Sequence, residues 1–145
     1  NSSHAVKDSA DYVADGTGDQ TEINAALTAA SGGKVYLAEG TYVASATILI
    51  PNNTTLAGAG RGTLIELADL DADENLIENT DQTTGTGVTI RDIRIDGRDD
   101  LNTAGTQEGI YLLNMGGGTG PTARQGAKIT NVIANNFRTV GFVFH

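Results

Sequence analysis

The sequence predicts an all-β solenoid, in which short strands stack coil upon coil and one α-helix covers the beginning of the stack. Three observations predict this fold class. A single helical segment comes early in the chain, a series of strand segments of about 3–5 residues follows it, and one pair of segments repeats with an offset of 39 residues. Repeats that bury their apolar faces only against neighbouring repeats are typical of solenoids.

The helix is predicted over residues 19–31, after a polar N-terminal segment, 1–18, with a short extended piece near Tyr12-Val13. Asp19 is a candidate N-cap, and Glu22 completes a capping-box pattern. One apolar face has helical spacing: Ile23, Ala26, Leu27 and Ala30. The glycine pair at 32–33 ends the helix. We expect the helix to cover the unpaired strand edges that an open coil end exposes.

After residue 33 the sequence changes to short segments rich in Ile, Leu, Val and Thr, separated by Gly, Asn, Asp or Thr. These features predict strands and sharp corners through residues 34–145, within one domain of residues 1–145. The predicted strands are 34–37, 47–50, 54–56, 64–67, 75–78, 88–90, 93–95, 109–112, 128–130, 132–134 and 141–144.

The repeat joins residues 87–96 to residues 126–135. Three apolar pairs align: Ile90 with Ile129, Ile93 with Val132, and Ile95 with Ala134. Each copy has a polar bend in its middle, and Asp96 and Asn135 end the two copies. A weaker pair aligns 75–77 with 109–111 at an offset of 34.

The alternative fold is an antiparallel sandwich. It is disfavoured because Asn-Gly is absent and Asp-Gly occurs only at 15–16 and 96–97, so signals for two-residue hairpins are scarce.

Composition limits the partners. With 18 acidic and 9 basic residues the net charge is −9, which makes nucleic acid a poor partner, because phosphate contacts need clustered Lys and Arg. No apolar run reaches transmembrane length, so no membrane insertion is expected. The acidic, Thr-rich composition fits a halophilic source or an ordinary acidic secreted protein. Cysteine is absent and leaves the redox compartment open. There is no signal peptide, and the abrupt beginning and end lead us to expect the N-terminal part of a longer protein.

Three segments together resemble the opening of pectate-lyase-superfamily β-helices. They are a Gly- and Asp-rich loop that leads into a helix (DYVADGTGDQTEINAAL, 11–27), a first coil (GGKVYLAEGTY, 32–42) and a strand with a glycine turn (TTLAGAG, 54–60). The resemblance implies a right-handed parallel β-helix. Lyases, epimerases, hydrolases and phage tailspikes share this opening, so it does not define a function.

Within that superfamily the chain most resembles the catalytic module of mannuronan C5-epimerases, through residues 56–60, 93–99, 102–105 and 140–145. The resemblance implies an extracellular uronate polysaccharide as partner. It also implies chemistry in which a base and an acid move the C5 proton. By resemblance, His145 and the acidic Glu108 are the catalytic candidates. Val140 and Val143 replace the family's Tyr and Asp, and Thr106 replaces its Lys. We therefore expect this chain alone to be inactive as an epimerase.

Arg91, Arg94 and Arg98 are candidate ligands for uronate carboxylates. Arg91 is expected at a corner, and Arg94 alternates with Ile93 and Ile95 and should face outward. The alternative is that the three arginines only balance charge on an acidic surface.

Three acidic segments are also candidates, each with a structural alternative that we favour. The alternating run Asp69, Asp71, Asp73 and Glu74 could bind Ca²⁺, but it lacks the glycine of a tight calcium loop. Asp96, Asp99 and Asp100 form a second acidic turn, where Asp96 is expected to cap the turn at Gly97. Asn79-Thr80-Asp81 resembles a polygalacturonase motif without its expected partner motifs, and we interpret it as coincidence.

Three functions remain open: a polysaccharide-processing module, a viral tailspike or receptor-binding module, and a structural or adhesive β-helix on a cell surface. The second predicts a homotrimer. Turnover of a uronate polymer would distinguish the first function from the third, which predicts none. All three place the protein outside the cell, on a cell surface or on a virion.

Overall fold

The computed structural model describes residues 11–116 and 126–144, which form mainly parallel strands. Their elements, in chain order, are α1 (Gln20–Ala29), β1 (Lys34–Tyr36), β2 (Gly40–Ala44), β3 (Ile48–Ile50), β4 (Thr55–Ala57), β5 (Thr63–Leu67), β6 (Glu74–Asn79), β7 (Thr89–Asp96), β8 (Gln107–Leu112), β9 (Lys128–Asn135) and β10 (Val140–Phe144). A 3-10 turn at Gly60–Gly62 separates β4 from β5. Within these ranges, α1 is too short to cross a membrane.

The strands form two sheets, and all their pairings are parallel. Sheet A has the order β1-β4-β7-β5-β2, with β9 added to β7, and sheet B has the order β3-β6-β8-β10. The described chain passes from sheet A to sheet B four times, ending each pass in β3, β6, β8 and β10. Each pass pairs with the one before it. The prediction of stacked parallel strands, rather than an antiparallel sandwich, is confirmed.

The 39-residue repeat is the pairing of β7 with β9. Ile90 lies opposite Ile129, Ile93 opposite Val132, Ile95 opposite Ala134, and Asp96 opposite Asn135, as predicted. Each copy is one bent strand, so the prediction of two separate strands per copy is wrong. The bends lie at Asp92 (φ 57°) and Asn131 (φ 51°), a conformation that Asp and Asn tolerate better than most residues. Asn131 Nδ2 donates to Asp92 Oδ1 at 2.9 Å and joins the two bends.

Two strand predictions need correction. β2 was not predicted, because Gly40 and the single apolar pair Tyr42-Val43 give it a weak strand pattern. The offset between β6 and β8 is 33 residues rather than 34, since Ile77 pairs with Ile110 and Asn75 with Glu108. Both isoleucines are fully buried, and a slip of one residue would turn one of them outward.

Helix α1 covers the first coil, as expected, and its polar side chains pair with strand edges. Asn24 Nδ2 donates to Thr47 O at 3.0 Å, while Asn24 Oδ1 accepts from Leu49 N at 2.8 Å. Gln20 Oε1 accepts from Ser45 N at 2.9 Å. These bonds occupy backbone groups that an edge strand would otherwise leave free for another chain. The helix buries Ile23 and Leu27 against the stack.

The capping-box prediction is wrong. Asp19 is the N-cap residue, but its side chain makes no capping bond. Its carboxylate instead accepts from Gly16 N at 2.7 Å and from Val43 N at 2.8 Å, and its own N–H donates to Val43 O at 2.8 Å. The fully buried Asp19 therefore fixes the beginning of the helix to β2. Within residues 11–18, bends at 11–12 and 16–18 flank residues 13–15, and the extended piece near Tyr12-Val13 stays a prediction.

The core lies between the sheets and consists of aliphatic side chains from successive passes. The largest fully buried ones are Leu27, Ile48, Ile50, Leu56, Ile65, Leu67, Leu76, Ile77, Ile90, Ile93, Ile95 and Ile110. Each such burial contributes about 1.5–3 kcal/mol relative to exposure. At β9 and β10 the core continues into an open apolar depression lined by Ala127, Ile129, Phe142 and Phe144.

Candidate functional site

The outer face of sheet B is the surface that faces away from the core. Inward residues such as Ile48, Ile77 and Ile110 are fully buried. The outward positions are all at least partly exposed: Leu49, Asn75, Glu78, Glu108, Tyr111, Val140 and Val143. Parallel pairing arranges them in two rows across the strands, one of Asn75, Glu108 and Val140 and one of Leu49, Glu78, Tyr111 and Val143.

Glu108 lies in the middle of its row, between Asn75 on β6 and Val140 on β10. It is half-buried, and its carboxylate makes no hydrogen bond within residues 11–116 and 126–144. Neighbouring strands are about 4.8 Å apart, so a ligand that lies across the three strands of this row would contact the central Glu108. A carboxylate with a free lone pair can accept a proton or a sugar hydroxyl.

Glu78 and Tyr111 lie side by side in the second row. Glu78 Oε1 accepts from Asn75 Nδ2 at 2.7 Å, and Oε2 accepts from Gln82 Nε2 at 2.9 Å, so two amides hold this carboxylate in place. Tyr111 is half-buried and supplies a phenol next to it. The outer face of sheet B thus combines two carboxylates and a phenol, which are groups that can accept or donate protons.

Of the two catalytic candidates taken from the resemblance, the structure describes one. Glu108 is on the outer face of sheet B. His145 lies outside the described residues, directly after the last residue of β10. Val140 pairs with Glu108, and Val143 pairs with Tyr111. Thr106 precedes β8, where its N–H donates to Asp73 Oδ1 at 2.7 Å.

The three candidate arginines lie on sheet A and not beside Glu108. Arg91 precedes the bend of β7 and forms an ion pair with Asp92. Arg94 faces outward between the buried Ile93 and Ile95, as predicted.

Arg98 follows the end of β7. Its Nη1 is 3.0 Å from Glu66 Oε1, and its Nε is 3.4 Å from Asp100 Oδ1. These carboxylates hold the pKa of Arg98 above its ordinary value, against the opposing effect of burial. Arg91 and Arg94 are thus separated by the bend at Asp92, and the binding of uronate carboxylates by the three arginines stays a prediction.

The acidic run at 69–74 joins two successive passes of the chain. Asp71 Oδ1 accepts from Ala104 N at 2.9 Å, and this bond holds the pKa of the Asp71 carboxyl below its ordinary value. Asp73 bonds Thr106, and Glu74 accepts from the hydroxyl of Thr47. In the described part of the chain, no three His, Cys, Asp or Glu side chains are close enough to hold a metal ion. Calcium binding stays a prediction, which a melting temperature in Ca²⁺ and in chelator would check.

Asp96 caps the turn at Gly97, since its Oδ1 accepts from Arg98 N at 2.9 Å. Asp99 and Asp100 are exposed. Asp81 organises the loop after β6. Its Oδ1 accepts from the backbone N–H of Thr84 at 2.9 Å and of Thr83 at 3.0 Å, and these bonds hold the pKa of its carboxyl far below the ordinary value. These contacts give Asp81 and Asp96 structural roles.

Glu78 and Tyr111 were missed at the sequence level. With an offset of 34 residues, Tyr111 aligns with the inward Ile77 instead of with Glu78. The signal that identifies them is the alternation around each buried isoleucine: Ile77 and Ile110 point inward, so the residue after each points outward. Aligning the two isoleucines places Glu78 and Tyr111 in one row.

The stacked parallel passes place this protein in the class of coiled parallel-β proteins. The outer face of sheet B carries side chains that can accept or donate protons. The family model described as rhamnogalacturonase A/epimerase, pectate lyase-like, matches residues 6–139. The chain belongs to this family, as the resemblance implied.

Solved structures agree with the family. The A-module of mannuronan C-5 epimerase AlgE6 from Azotobacter vinelandii is 26% identical with a TM-score of 0.77, covering 93% of this chain and 38% of that module. The A-module of AlgE4 from the same organism is 25% identical with a TM-score of 0.76, covering 93% and 39%. The chain thus spans less than half the length of either module. No curated protein matches the sequence.

Proposed function

We propose that this chain is an extracellular, right-handed parallel β-helix module that binds a uronate polysaccharide. The observation that supports this most strongly is the similarity, over 93% of the chain, to A-modules named for mannuronan C-5 epimerase. The family, which includes rhamnogalacturonase A and epimerases, supports the same class of ligand. The polymer lies along the outer face of sheet B, across the two rows that contain Glu108 and Tyr111.

The proposed module binds its polymer without converting it. Epimerisation takes a proton from C5 and returns one to the opposite face, and it needs a group that neutralises the uronate carboxylate. Val140 and Val143 have no ionisable group. None of the seven outward positions of sheet B is Lys or Arg. Glu78, Glu108 and Tyr111 can bond sugar hydroxyls, but they cannot neutralise a carboxylate.

Electrophoresis of the native chain through gels that contain polymannuronate, polygalacturonate or dextran tests the binding. The proposal predicts retardation by at least one polyuronate and none by dextran, which has no carboxylates. Glu108→Gln should weaken the retardation severalfold if sugar hydroxyls donate to this carboxylate. Equal mobility in all three gels would rule out a uronate ligand.

A further inference from the structure

A second face of the molecule, on sheet A, has basic side chains where the outer face of sheet B has carboxylates. The first halves of β7 and β9 continue the plane of β1 and β4 up to the bends at Asp92 and Asn131. Inward residues of this plane, such as Leu56 and Ile90, are fully buried. We call the outward residues that are at least partly exposed the cationic face: Lys34, Tyr36, Thr55, Thr89, Arg91, Lys128 and Thr130.

The charge of this face differs from that of the whole chain. Three of its seven residues are basic and none is acidic, although the protein has a net charge of −9. At its border lies the carboxylate of Asp92, which pairs with Arg91 and accepts from Asn131. Lys34 and Lys128 are exposed at the two ends of one row, with Thr55 and Thr89 between them.

Tyr36 provides an aromatic surface in the second row. Its side chain is 58% exposed, although it lies on a strand, and Lys34 Nζ is 5.6 Å from the centre of its ring. An exposed tyrosine can stack on the apolar face of a sugar ring while its hydroxyl stays in water. The hydroxyls of Thr55, Thr89 and Thr130 add hydrogen-bonding groups on the same flat surface.

We propose that the cationic face is a second binding surface, and that it holds an anionic polysaccharide lying across the strands. This inference rests on the proposed function, and it assigns the contacts with uronate carboxylates to sheet A. Lys34 and Lys128 are three strand steps apart, about 14 Å, so they reach carboxylates on sugars a few units apart. Charge complementarity favours this occupant, because the cationic face has three basic residues and no acidic one.

Binding here is expected to be weak at each contact and sensitive to salt. Exposed lysines stay hydrated and gain little from a single ion pair, so affinity comes from several contacts along one polymer. Raising the ionic strength should weaken it, because the Debye length falls from about 10 Å at 0.1 M salt to about 3 Å at 1 M.

The test measures affinity for polygalacturonate and polymannuronate by gel retardation at low salt. Lys34→Gln and Lys128→Gln should each weaken binding by up to about fivefold. Tyr36→Ala should weaken it by about threefold to tenfold, while Tyr36→Phe should retain it. All three positions are exposed, so the variants should keep the circular dichroism spectrum of the parent. Arg61→Ala is the matched control, since it removes one exposed cation outside the cationic face.

Each outcome decides between the proposals. Loss of binding in the Lys34, Lys128 and Tyr36 variants, with Arg61→Ala unchanged, supports the cationic face. Binding that is unaffected by these variants and weakened by Glu108→Gln overturns the cationic face and leaves the proposed function standing. Binding to neither polymer overturns both. Equal competition by a single-stranded oligonucleotide would also overturn the assignment, because the face would then be a general polyanion surface.

Discussion

At the scale of the residue, buried amides join successive passes of the chain. Asn102 is fully buried between two loops on the same edge of the stack. Its Nδ2 donates to Ala68 O and Gly97 O, both at 3.0 Å, and its Oδ1 accepts from Leu70 N at 2.9 Å. Asn79 acts similarly one corner away, where its Oδ1 accepts from Leu113 N at 2.9 Å. A side-chain amide suits this position because it satisfies a carbonyl and an N–H together.

Asn102→Ala should lower the free energy of unfolding by about 2–4 kcal/mol, because it leaves buried backbone groups of two loops without partners. The measurement is urea denaturation followed by circular dichroism. Asn75→Ala is the control, and should cost less than about 1 kcal/mol, since Asn75 bonds only the half-exposed Glu78. Equal losses in the two variants would contradict the role of Asn102.

Asp81 should make the loop after β6 sensitive to acid. Bonds from Thr84 and Thr83 lower its pKa in the folded protein below the ordinary value of 3.8. A lowered pKa contributes stability above the unfolded pKa, and this contribution is lost as the pH falls through the folded pKa. Urea midpoints should therefore decrease below about pH 4.

In Asp81→Asn the midpoint should be lower at pH 7 and should change less between pH 5 and pH 2 than in the parent. Asp99→Asn is the matched control, because the carboxylate of Asp99 bonds nothing within the described ranges. If the urea midpoint of Asp81→Asn fell with pH as much as that of the parent, Asp81 would not be a source of the acid sensitivity.

At the scale of the element, the strands and pairings that could be predicted from the sequence are those that a local residue pattern determines. The β7–β9 repeat was found because inward isoleucines and polar bends recur at the same positions. The β6–β8 register was missed by one residue, because Leu76-Ile77 and Ile110-Tyr111 both offer two large side chains in succession. Leu76 and Ile77 are both fully buried, so only packing in the core decides which of them lies opposite Ile110. β2 forms because β5 pairs with it along its whole length, which no local pattern shows.

The corner after β4 depends on close backbone approach at Gly58. A Cβ there would lie 2.6 Å from Asp92 O and 2.8 Å from Thr63 Cβ. Gly58→Ala should therefore destabilise the fold by about 1–3 kcal/mol, as overpacking does. Thermal denaturation measures this, with Gly126→Ala as the control, since a Cβ at Gly126 would meet nothing within 4 Å. If both variants melted at the temperature of the parent, the close backbone approach described at Gly58 would be contradicted.

At the scale of the whole molecule, the fold was more predictable than the site. The helix, the repeat and the family opening each depend on contiguous residues. The two outer faces depend on residues about 20 to 40 apart in sequence, which parallel pairing brings into rows. Lys34 and Lys128 were not recognised as a pair for this reason. Arg91 and Arg94, which are close in sequence, lie on different planes because the bend at Asp92 comes between them.

The association state is a further prediction at this scale. A tailspike of this fold would be a homotrimer, whereas the proposed polysaccharide module needs no partner subunit to form either outer face. Light scattering on the chain after size exclusion should give the mass of a monomer, 15.0 kDa. A mass three times larger would favour the tailspike interpretation.

The most direct test is one proton NMR sample of the native chain with polymannuronate at low salt. Saturation transfer from protein to sugar protons reports binding, and new guluronate anomeric or unsaturated signals report turnover. We predict saturation transfer that decreases with added salt, and no new signals after prolonged incubation. New signals would contradict binding without conversion. The absence of saturation transfer, with polygalacturonate as well, would contradict the assignment of a uronate polymer as ligand.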